Sequence, residues 1–103
     1  MRESKFQAQL IRELKVMFDG CVILKNDPNY LQGVPDLIVL YRDKWAALEC
    51  KASEAATRQP NQVYWCDKLD DMSFSAFISP DNKEEVLSAI QLAFGFRGEA
   101  RFS

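Results

Sequence analysis

Residues 36–51 read DLIVLYRDKWAALECK, and this stretch decides the fold. Asp36 to Tyr41 is β-type and apolar on both faces, the pattern of a strand covered by helices on both sides. Arg42-Asp43-Lys44 is a polar turn, and Trp45 to Lys51 is a second strand, so the segment reads as a hairpin. If the turn is centred on Arg42-Asp43, Tyr41 faces Lys44 and Asp36 lies opposite Glu49. Directly opposed residues share a face, with Cβ atoms about 4.5–5.5 Å apart. Lys51, two residues beyond Glu49, projects from that face too. A three-residue turn would shift the pairing by one and send Asp36 to the other face. The turn contains neither Gly nor Asn to decide between the two.

Upstream of the hairpin, Gly33-Val34-Pro35 makes a bend, and Asn26-Asp27-Pro28-Asn29 opens a loop that runs on through Tyr30 and Gln32. Cys21 to Lys25 is a short strand. From Glu3 to Phe18 the apolar residues Phe6, Leu10, Leu14, Met17 and Phe18 recur at helical spacing. Ser4 with Gln7 has capping-box form and places the helix start near Ser4, and Asp19-Gly20 ends it. Downstream, Ala52 to Pro60 is small and polar, a mobile loop. Pro60 to Leu69 reads as a helix with Pro in its first turn, and Phe74 to Ile78 as a strand. Ser79-Pro80-Asp81 opens a last helix with Glu84 and Glu85 near its positive end. Val86, Leu87, Ile90 and Phe94 form its buried stripe, Gly95 stops it, and residues 96–103 form a tail. The expected order is α-β-β-β-α-β-α, a small mixed sheet flanked by helices in an α/β fold.

The 103 residues suit one domain. With 48% hydrophobic and 27% charged residues the chain has an ordinary globular composition. Its apolar runs are too short to cross a bilayer. The charged start at Arg2 and Glu3 lacks a secretory pattern, which predicts a cytosolic protein of a bacterium or phage-infected host. Cys21, Cys50 and Cys66 are an odd set without a C-x-x-C pair and read as small buried hydrophobes. There is no histidine. That excludes Ser-His-Asp and Cys-His catalysis and His-based zinc sites. Chemistry must rest on carboxylates, Lys, Tyr or a metal held by oxygen ligands, for which Mg²⁺ or Mn²⁺ is suited. The net charge of −2 runs against phosphate binding unless basic residues cluster locally.

Two carboxylates and an ammonium on one face of an apolar hairpin call for neutralisation. A divalent cation supplies it, lowers the pKa of a bound water and stabilises charge on a phosphoryl oxygen. Lys51 would then oppose charge that builds in the transition state. Asp36, Glu49 and Lys51 thus suffice for metal-assisted phosphodiester hydrolysis. The bland alternative is a solvated cross-strand salt bridge.

Gly33-Val34-Pro35-Asp36-Leu37, then Glu49-Cys50-Lys51, then Gln62 on the next helix, resemble the PD-(D/E)XK nuclease superfamily, with its restriction-endonuclease-like fold. The closest likeness is to small stand-alone VRR-NUC domains, often phage-encoded, and next to archaeal-type Holliday junction resolvases. The resemblance implies that Asp36 and Glu49 bind the metal with the backbone carbonyl of Cys50, that Lys51 acts on the nucleophile, and that Gln62 supports the site. It also implies a first-helix acid, for which Glu3 is the choice and Glu13 the alternative. Arg58 is the plausible DNA phosphate contact, with Lys5, Lys68 and Arg2 behind it. The loop after Lys51 departs from the resembled pattern by carrying Glu54 and a single base. Stand-alone members of the family act on branched DNA, notably four-way junctions, as homodimers. Phe96, Phe102 and Trp65 would supply such an interface. The alternatives are a nuclease for flaps, ends or duplex DNA in phage replication or packaging, and a non-catalytic nucleic-acid-binding protein on the same fold.

Overall fold

A computed structural model describes residues 1–95. The tail, with Phe96 and Phe102, lies outside the described residues. Elements follow the expected order: α1 (Glu3–Met17), β1 (Val22–Lys25), β2 (Leu37–Tyr41), β3 (Lys44–Cys50), α2 (Pro60–Met72), β4 (Ser75–Ile78) and α3 (Lys83–Ala93). They form one four-stranded sheet in the order β1-β2-β3-β4. The first three strands are antiparallel neighbours, and α2 carries the chain across to β4, which joins β3 in parallel.

Register follows from the hairpin turn. Tyr41 pairs with Lys44 and Leu37 with Leu48, so the two-residue turn is the one adopted. Arg42 bears its cost, with φ of 58°. A positive φ at a central turn residue matches the twist of the strands. The Arg42 guanidinium stacks over Tyr41, 5.1 Å from the ring centroid.

The pleat then sorts side chains onto two faces. Leu37, Val39, Tyr41, Ala46, Leu48, Cys50 and Ile78 face α1 and α3, whose Phe6, Leu10, Leu14, Phe18, Val86, Leu87, Ile90 and Phe94 complete the core. Full burial of each large apolar side chain contributes about 1.5–3 kcal/mol. Phe18, Tyr41 and Phe94 meet at one end, with centroids 5.1 to 5.7 Å apart. Lys83 bonds both carboxylate oxygens of Glu13 and ties α3 to α1.

The second face departs from expectation. The single helix α2 packs on β3 and β4, where Cys66 accepts from Ser75 Oγ at 3.4 Å. The β1–β2 half is open: Val22, Leu24 and Leu40 are exposed. Strand β2 therefore has helices over one face only. Several boundaries also differ. Arg2, in extended conformation, is the N-cap of α1 and no side chain caps it, so Ser4 is helical and not the cap. Helix α2 runs three residues past Leu69.

Candidate metal centre

Asp36 stands one residue before β2, in the position that continues the hairpin register to Glu49. Its backbone is fixed by Asn26, whose side-chain amide donates to the Pro35 carbonyl at 2.6 Å and whose N–H donates to the Asp36 carbonyl at 2.9 Å. The bend before it needs Gly33, whose φ is 89°. A Cβ there would lie 2.7 Å from Asn61 Cγ in the first turn of α2. The loop thus presses onto the start of α2, beside the residue that follows Asn61.

That residue is Gln62, and it joins the cluster. Its Nε2 donates to Glu49 Oε2 at 3.2 Å, and its Oε1 accepts from Lys51 Nζ at 2.9 Å. The same oxygen accepts from the Gln59 N–H at 2.9 Å, half of a capping box in which the Gln59 side chain returns the favour to the Gln62 N–H. Asp36 Oδ2 in turn accepts from the Cys50 N–H at 2.9 Å. The N–H and C=O of a strand residue point towards the same neighbour, so the Cys50 carbonyl is aimed to the Asp36 side as well.

Burial gives the cluster its electrostatics. Glu49 is 4% exposed and Lys51 9%. Burial first, then the adjacent Asp36 charge, push the Glu49 carboxyl up to about 8, against the pull of Lys51. The ammonium of Lys51 meets the Gln62 amide, and among the described residues no cation forms an ion pair with either acid. Glu3, on the exposed first turn of α1, is close enough for its charge to raise both Glu49 and Cys50. No hydrogen bond joins it to the cluster among the described residues. Glu13, the alternative acid, is occupied by Lys83, so it belongs to the α1–α3 junction and not to the site.

The thiols behave as apolar groups. Burial, with help from Asp36, drives Cys50 up to about 12 while Gln7 of α1 pulls the other way, and burial raises Cys66 and Cys21 too. All three are free, Cys21 only half-buried.

Among the described residues no three Cys, Asp or Glu side chains converge tightly enough to hold a metal by themselves. The oxygen donors available for an ion there would be Asp36, Glu49 and the Cys50 carbonyl. They suit Mg²⁺ or Mn²⁺, hard ions that take one or two carboxylates and keep several waters.

Arg58 sits over the Phe77 ring, 4.1 Å from its centroid, and Phe77 pairs with Glu49 across β3 and β4. Its guanidinium borders a small cleft with Lys51, Ser53 and Asn82. The loop that carries Arg58, read as mobile, is fastened by a 2.8 Å bond from the Glu54 N–H to Asp81. Lys5 and Lys68 are exposed on α1 and α2 with no ion pair or hydrogen bond to the cluster among the described residues. Two positioning residues escaped the sequence reading. Asn26 looked like one more turn residue. Asn82 bonds the Ser79 N–H and the Phe77 carbonyl, shaping the end of β4, and its signal was masked by the neighbouring Ser79-Pro80-Asp81. Among the described residues no helix is long and apolar enough to cross a membrane. No family model, no curated protein and no solved structure matches the chain.

Proposed function

We propose that this protein is a divalent-metal-dependent deoxyribonuclease of the PD-(D/E)XK type, cutting branched DNA such as four-way junctions, and that it works as a homodimer. The observation that carries the reading is the joined cluster of Asp36, Glu49, Lys51 and Gln62, with a buried carboxylate whose proton is held up to about 8. A solvated salt bridge would leave both acids in water and pair Lys51 with one of them. Here Lys51 bonds the Gln62 amide, and among the described residues it forms no ion pair with either acid.

Asp36, Glu49 and the Cys50 carbonyl would hold Mg²⁺ or Mn²⁺, with Glu3 completing the shell through water. The ion supplies a more acidic bound water and charge stabilisation at a phosphoryl oxygen. Lys51 Nζ, with donors left after its bond to Gln62, orients the attacking water and opposes negative charge on the phosphorus-bound oxygens. Gln62 fixes Lys51 and Glu49 relative to each other, and the Asn26 clamp fixes Asp36. Arg58, flat on Phe77, offers a guanidinium to a phosphate of the bound strand. Twofold symmetry would present two such sites to a twofold-symmetric junction.

The test is cleavage of labelled duplex, flap and four-way junction in Mg²⁺, Mn²⁺ or EDTA. Metal-dependent cutting with junctions preferred is expected. Lys51→Ala is expected to abolish turnover while folding and DNA binding persist. A Lys51→Ala protein that cuts at the parent rate removes Lys51 from the mechanism.

A further inference from the structure

The loop between β1 and β2 holds a concavity that the carboxylate cluster does not use. Asn26, Asp27, Tyr30, Leu31 and Val34 line a cavity of about 460 Å³, within the roughly 300–1,000 Å³ of small-molecule sites. Its walls are largely apolar, yet Tyr30 is 88% exposed and Leu31 41%. The loop is built rather than slack. Asp27 accepts from the Asn29 N–H through its side chain at 2.9 Å and from the Tyr30 N–H through its carbonyl at 3.2 Å.

Position relates this cavity to the metal centre. Asn26, on its wall, is the residue that clamps Pro35 and Asp36. Val34 is two residues from Asp36, and Gly33 between Gln32 and Val34 abuts Asn61, the neighbour of Gln62. A strand whose phosphate reached Asp36 and Glu49 would therefore pass this rim. The Asp27 carboxylate repels a phosphate there but suits a group that donates hydrogen bonds. An apolar wall, an exposed aromatic ring and an acidic acceptor together fit a flat heterocycle with amino or imino donors.

We propose that this pocket receives a nucleobase unstacked from the strand next to the scissile phosphate, with Tyr30 stacked on its face and Asp27 accepting from its donor edge. The proposal rests on the DNA-cleaving reading and deepens it: a branch point, where stacking is interrupted, frees a nucleotide beside the cut for this pocket. Fully paired DNA keeps its bases in the stack and gains nothing from Tyr30.

The experiment uses a duplex with one unpaired 2-aminopurine and its fully paired counterpart, bound by the Lys51→Ala protein in Mg²⁺ so that the DNA stays whole. Stacking on Tyr30 is expected to quench the probe. Adding Tyr30→Ala is expected to restore the emission and weaken binding to the unpaired DNA about tenfold to a hundredfold, with less than about threefold change on paired DNA. Tyr30→Phe, which keeps the ring, should bind like the parent. Equal losses on both DNAs, no loss on either, or no binding to either overturns the pocket. Cleavage by the native chain separates the two readings. Metal-dependent cutting without any Tyr30 effect sinks the pocket and spares the nuclease, whereas a Tyr30 effect without cutting does the reverse.

Discussion

Replacing Glu49 with Gln should flatten the pH dependence of stability in the metal-free protein. Glu49 is 4% exposed, and burial together with the adjacent Asp36 charge pushes its carboxyl up to about 8 from 4.5. Between those values the native state holds a proton that the unfolded chain has released. Stability must then fall as pH rises through this window, because a raised carboxyl pKa favours folding only while the proton is on. At about 1.4 kcal/mol for each pH unit the ceiling is roughly 5 kcal/mol. Water at the open end of the cluster reduces this to about 2–3 kcal/mol. Urea unfolding in EDTA at several pH values from 5 to 8.5, for parent and Glu49→Gln, isolates the effect as the difference between two curves. The parent should lose about 2–3 kcal/mol that the variant keeps. Saturating Mg²⁺ at pH 8 should return that stability to the parent and leave the variant unmoved, since ion binding replaces the missing proton. Parallel curves for the two proteins would refute the reasoning.

Gly33→Ala should cost about 2 kcal/mol or more, since it adds a strained positive φ to a Cβ placed against Asn61; urea unfolding reads this, and an unchanged midpoint contradicts it. The same variant should weaken Mn²⁺ binding, measured by calorimetry, because the bend sets Asp36. Gln62→Ala should destabilise by about 2–3 kcal/mol, since it strips an acceptor from buried Lys51, a donor from Glu49 and half of the α2 cap. Its kcat should drop while the KM for DNA holds, and a fall in affinity alone would argue that Gln62 touches substrate instead. Glu13→Gln should leave turnover unchanged and cost at most about 1 kcal/mol, as its ion pair with Lys83 is partly exposed.

Much of this was legible because the hairpin is short and strongly patterned. The run from Leu37 to Cys50 reads as a hairpin, but its strands are apolar on both faces of β2 and left two registers open; the one adopted pairs Leu37 with Leu48 and places Asp36, Glu49 and Lys51 on one face. The turn itself was not legible, since Arg42 adopts a positive φ without being Gly or Asn. Capping misled for a similar reason. Ser4 and Gln7 have the right letters, yet Gln7 is drawn to the Cys50 thiol, while the actual box pairs Gln62 at N3 with Gln59, an N-cap outside the usual Ser, Thr, Asp and Asn. The Glu13–Lys83 pair spans 70 positions, beyond any local pattern. Apolar side chains on both faces of β2 suggested helices on both sides. The 13-residue helix α2 packs chiefly on β3 and β4, and sequence periodicity carries no information on how wide a sheet a helix can cover. Glu3, Arg58 and Gln62 were placed by resemblance, and their surroundings differ: Gln62 is bonded into the cluster, Arg58 borders it, and Glu3 reaches it by charge alone.

Anomalous diffraction from crystals soaked in Mn²⁺ tests the central claim most directly. The account predicts a peak between the carboxylates of Asp36 and Glu49, within bonding distance of their oxygens and in reach of the Cys50 carbonyl, and its loss in Asp36→Ala. Saturating Mn²⁺ with no density at that position, or a peak that survives Asp36→Ala, would contradict it.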